Sequence, residues 1–137
     1  MATFHELVKQ SLMEGLKRAN YDIKRFQPTS IKAGLFADRS EIENAERTTW
    51  SIVKTINTRA EKGEKMSREN LETIIDIESA DRAFEYELLR IKIYMRSGKN
   101  VSKYVQEART ALTVLEKYPE VYISLYKRRL NETIGEE

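Results

Sequence analysis

From Ser67 to Ser97 the chain meets neither a proline nor a glycine, and apolar residues return along it at three- and four-residue steps. An uninterrupted run of that length and period has one good backbone solution, an α-helix with a buried side. The rest is punctuated as sparsely, with 5 Gly and 2 Pro in 137 residues, which disfavours a many-turned β protein. The expected fold class is therefore all-α: an antiparallel up-and-down helical bundle of four main helices plus a C-terminal fifth. It is expected as a single domain over residues 1–137, with 27–39 an irregular loop and 135–137 a frayed tail.

The helix boundaries follow from local chemistry. The first helix is expected from Thr3 to Phe26, on the spacing of Phe4, Leu7, Val8, Leu12, Leu16, Ala19, Ile23 and Phe26, with Pro28 ending it. Ile31, Leu35 and Phe36 form a small apolar group expected to tuck onto the bundle. The second helix is expected to open near Ser40, where Ser40 and Glu43 match a capping box, and to stop at Gly63. The third should begin after Ser67 and stop at Gly98. It carries two apolar stripes, Leu71, Ile75, Tyr86, Leu89 and Ile93 on one and Ile74, Ile77, Phe84, Leu88, Ile91 and Met95 on the other, so neighbours are expected on both sides. The fourth is expected from Val101 to Tyr118 with Asn100 as cap. Pro119 is then placed to open the fifth.

Composition excludes several functions. Hydrophobic residues make up 40% and charged residues 34%, a globular rather than a disordered balance. Without cysteine there is no disulfide framework, no thiolate zinc site and no cysteine nucleophile. The glycines are scattered, so no phosphate-binding loop or nucleophile elbow forms. The one histidine, His5, reads as an exposed terminal side chain, and no Glu-x-x-His pair is present for a di-iron bundle. No catalytic residue, metal site or cofactor is assigned. No apolar run reaches the length of a membrane span and no signal peptide is evident, so a cytoplasmic protein, or a particle assembled there, is expected. The net charge of +2, from 24 basic and 22 acidic residues, is far from a dedicated DNA-binding footprint.

The candidate site residues are aromatic and basic. Tyr118, Tyr122 and Tyr126 recur every four residues and lead into Lys127, Arg128 and Arg129. Tyrosine, tryptophan and arginine dominate interface energetics, so Trp50, Tyr118, Tyr122, Tyr126, Arg128 and Arg129 are the expected partner-binding set. Trp50 and the tyrosines could equally cover the edge of the core. Glu78, Arg82 and Glu85 lie on the seam between the two stripes of the third helix, where Arg82 can pair with both acids.

The expected function is a non-enzymatic interaction or assembly protein. It would be a small subunit or adaptor of a larger particle, such as a bacteriophage connector, binding a protein partner or copies of itself. The alternative is a nucleic-acid-associated factor using Lys17, Arg18, Lys24 and Arg25 with Lys127. An enzyme whose site is assembled from ordinary carboxylates is the third reading.

Overall fold

A computed structural model describes residues 2–32 and 38–135. It contains five helices: α1 (Phe4–Arg18), α2 (Arg39–Glu61), α3 (Arg68–Arg96), α4 (Ser102–Leu115) and α5 (Ile123–Ile134). No strand occurs among the described residues, so the all-α class is as expected. The helices gather into two compact units, Met1–Ser79 and Ala80–Glu137, and the boundary falls inside α3.

In the first unit α1 packs on α2. Thr3 caps α1, its hydroxyl accepting from the Glu6 amide at 3.2 Å. His5 sits in the first turn and is half-buried rather than exposed. The helix stops at Arg18, eight residues before the expected Phe26. The cause is a left-handed turn, with φ of 50° at Asn20 and 61° at Tyr21. Asparagine tolerates this region; tyrosine adopts it at a cost. That cost is offset by the partners Tyr21 gains. Its Oη donates to Glu72 at 2.7 Å, and the Arg68 guanidinium lies 4.0 Å from its ring centre.

Beyond the turn the chain returns across α1. Phe26 is buried without being helical. The Thr29 amide donates to Ser11 O at 3.1 Å, and Ser11 Oγ donates to Thr29 O at 2.6 Å. Gly15 makes the crossing possible, because a Cβ there would stand 1.9 Å from the carbonyl oxygen of Gln27. Gly15 thus lies inside a helix and serves a close backbone approach. Leu35 and Phe36, expected to tuck onto the bundle, lie outside the described residues.

The N-cap of α2 is Asp38, not Ser40, and its carboxylate accepts from the Glu41 amide at 2.7 Å. An ionised cap facing the positive end of the helix outcompetes a hydroxyl. Glu43, the expected box partner of Ser40, instead pairs with Arg39 at 3.2 Å. Gly63, at φ +90°, ends the connection as expected. The buried side of α2 is Ala45, Thr49, Ile52, Val53 and Ile56, meeting Phe4, Leu7, Val8, Leu12 and Leu16 of α1 in the unit's core. Ser67 caps α3, accepting from the Asn70 amide at 3.2 Å. The first turns of α3 bury Leu71, Ile74 and Ile75, and Asp76 pairs with Lys9 at 2.6 Å.

In the second unit α3 buries a single line, Ala80, Ala83, Phe84, Glu87, Leu88 and Ile91. The two expected stripes therefore do not both find neighbours here. Leu89, Ile93 and Met95 are exposed, while two alanines and a glutamate occupy the buried side. Small residues permit close helix packing but give no apolar signal in a sequence. Gly98, at φ +71°, stops α3, and Lys99 N donates to Tyr94 O at 3.0 Å.

The N-cap of α4 is Val101 rather than the expected Asn100 and makes no side-chain cap bond; Asn100, one residue earlier, accepts from the Ser102 amide at 2.9 Å. This helix ends at Leu115 rather than Tyr118. Pro119 occupies the second position of a turn closed by Val121 N donating to Tyr118 O at 3.1 Å, so it does not open α5. Helix α5 packs on α4, and Leu130 is its fully buried residue beside Ala108, Ala111, Leu112 and Leu115.

Candidate functional site

The most unusual chemistry lies in the second unit. Glu87 sits three residues after Phe84 and four before Ile91, on the buried line of α3, and is 1% exposed. Arg90, one turn on, donates from Nε to Glu87 Oε1 at 2.8 Å and from Nη2 to Glu107 Oε2 of α4 at 2.9 Å. Its guanidinium also lies over the rings of Tyr86 and Tyr104, 4.6 and 4.5 Å from their centres. Tyr94 stacks on Tyr104 with centroids 5.1 Å apart. Burial, aided by the hydrogen bond and negative charge of Glu107 and opposed by Arg90, pushes the Glu87 carboxyl up to about 9. A Glu87 carboxyl that keeps its proton lightens the negative charge buried beside the Arg90 guanidinium. Burial chiefly, with Tyr94 alongside, raises the Tyr104 phenol as well. Each charged group here is answered by another member. The arrangement clamps α3 to α4.

Sequence reasoning missed Glu87, Arg90 and Glu107. The usable signal was an acid at helical spacing from Phe84 and Ile91, with Arg90 on the same side and Glu107 beside Ala108 of the facing stripe.

The structure separates the expected partner-binding residues. The Tyr126 hydroxyl donates to Asp81 at 2.5 Å, and its ring meets Phe84 edge-on with centroids 5.2 Å apart. Arg129 grips Glu85 with two nitrogens, the longer contact being 2.6 Å. Both residues therefore fasten α5 to α3, and Glu85, expected to pair with Arg82, has Arg129 as a bidentate partner. Tyr118 is half-buried and Arg128 exposed. Tyr122 is 76% exposed and Leu125, one turn on, is 50% exposed. In the first unit Trp50 is 53% exposed beside Glu43, Glu46 and Arg47, so it does not close the core.

Of the alternative set, Lys17, Arg18, Lys24 and Arg25 are exposed around the end of α1, with Asp22 4.0 Å from Arg25. Lys127 pairs with Glu116 at 3.1 Å. A cavity of about 190 Å³ lies between α1 and the returning chain, lined by Ser11, Glu14 and Thr29 among others. Its carboxylate, Glu14, accepts from Gln10 and Thr29. Among the described residues no cluster of acids and histidine is placed to hold a metal ion, and no helix is long and apolar enough to cross a membrane. Comparison of the chain with protein-family models, curated proteins and solved structures finds no match.

Proposed function

We propose that the protein is a non-enzymatic interaction or assembly subunit, working in the cytoplasm or in a particle assembled there, and that the start of α5 is its binding surface. The observation carrying this is the pair Tyr122, the N-cap residue of α5, and Leu125 in its first turn, both exposed, with Tyr126 and Arg129 fastening the helix to α3. An aromatic and a leucine presented to water on a fastened element are the residue types that concentrate binding energy at interfaces. Arg128, exposed beside them, supplies rim charge.

The test separates binding from packing. Tyr122→Ala is expected to weaken partner association by about 1–2 kcal/mol or more, with the urea midpoint unchanged. Tyr126→Phe is expected to lower stability by about 1 kcal/mol or more, since it strands a carboxylate hydrogen bond. Affinity capture from the native source with the double replacement Tyr122→Ala, Leu125→Ala gives the decisive reading; retention of every partner at native strength would remove α5 as the site.

The rival reading, nucleic-acid binding, draws support from the exposure of Lys17, Arg18, Lys24 and Arg25. It requires affinity for single strands that falls steeply with salt and drops when these four are neutralised. Binding indifferent to salt would dismiss it.

A further inference from the structure

The outer side of α3 in the second unit carries a surface that the packing leaves unused. Leu89 and Ile93 are 56% and 50% exposed, four residues apart, on the side opposite Ala80, Phe84 and Ile91. Tyr86, half-buried, extends the same stripe by one turn toward the N-terminus. Arg96 falls on this stripe and Lys92 at its margin, both are exposed, and among the described residues no carboxylate pairs with either. The one acid on the stripe beyond Ala80, Glu85, is neutralised by Arg129. From Tyr86 to Arg96 the stripe runs about 15 Å, the length of roughly three helical turns.

We infer that this side of α3 is a second docking surface, distinct from the α5 surface, and takes a short amphipathic helix whose apolar stripe is flanked by carboxylates. Leu89 and Ile93 supply the ridge for an incoming leucine or isoleucine, and Lys92 and Arg96 meet acids at its margins. Charge argues against a second copy of this chain. A second copy offers no unpaired carboxylate on the same stripe to meet Lys92 and Arg96, because Glu85, the acid there, is held by Arg129. A lipid surface calls for a wider apolar face than two side chains provide.

The probe is a helical peptide of about three heptads with leucine at a and d, glutamate at e and g and alanine elsewhere, compared with one carrying lysine at e and g. Fluorescence anisotropy with the full chain is expected to show binding of the acidic peptide and none of the basic one. Leu89→Asp with Ile93→Asp, at exposed positions and checked by circular dichroism to remain helical, should weaken that binding by roughly tenfold or more. Lys92→Glu with Arg96→Glu should transfer preference to the basic peptide. Tyr122→Ala should leave peptide binding untouched, so failure here is distinguishable from failure of the α5 surface. The inference is overturned by equal binding of both peptides or by no binding at millimolar concentration. It is also overturned if the Asp variant converts a dimer to a monomer in sedimentation, or if it abolishes uptake by phosphatidylglycerol vesicles, since those results assign the surface to a second copy or to lipid.

Discussion

Gly15→Ala is expected to destabilise the protein by about 3 kcal/mol or more, measured as a shift of the urea unfolding curve at constant slope. At an ordinary position inside a helix the same replacement stabilises by roughly 0.5–1 kcal/mol, so the sign alone is informative. The difference lies in what faces the new methyl. It would stand 1.9 Å from Gln27 O, a backbone atom that cannot rotate aside. Relief requires the returning chain to lift from α1, which breaks the three hydrogen bonds between Ser11 and Thr29 and exposes Phe26. Hydrogen exchange at the Thr29 amide should accelerate in parallel. An unchanged or raised urea midpoint would mean that residues 26–30 do not cross α1 where described.

The second large effect belongs to Glu87. In the folded state its carboxyl titrates near 9, well above the ordinary value of 4.5, so between those limits the native state keeps a proton that the unfolded chain releases. Stability contributed by this group is fully present below about pH 4.5 and is lost as the pH rises toward 9, with a limiting slope of about 1.4 kcal/mol per pH unit. Glu87→Gln keeps the shape, donates to Glu107 and still accepts from Arg90. It is expected to be close to neutral at pH 7 and to flatten the decline between pH 7 and 9 in chemical denaturation. Glu87→Ala removes one member of a buried charged cluster and leaves a void, at a cost of about 3 kcal/mol. A Gln variant that declines with pH as steeply as the parent would show that the proton sits elsewhere.

Legibility in the sequence followed the kind of signal each element carries. Ser67, Gly63 and Gly98 sit at boundaries where a cap hydroxyl or a positive φ is needed, and these could be read one residue at a time. The end of α1 could not. Ile23 and Phe26 continue the helical period past the turn, and the left-handed residues are Asn20 and Tyr21, neither a glycine. Tyr21 holds its conformation through Glu72 and Arg68, which lie far along the chain and have no local signature. The second stripe of α3 misled for a related reason. Periodicity shows which residues could be buried together, while neighbours decide which are, and in the second unit they chose Ala80, Ala83 and Glu87 over Leu89 and Ile93. The C-terminal tyrosines were legible as a group. Their division into a packing residue, Tyr126, and an exposed one, Tyr122, depends on Asp81 and Phe84 of α3, which are distant along the chain.

Trp50 is the only tryptophan in the chain, and its indole is 53% exposed. Its emission in the native protein is therefore that of a solvated indole, and unfolding changes that environment little. The usual optical signal of denaturation will be weak, so melts are better followed by far-ultraviolet ellipticity. The same exposure makes the fluorophore a built-in sensor of occupancy: a molecule settling over Glu46, Arg47 and Trp50 strips water from the ring and moves the emission to the blue, with no label added.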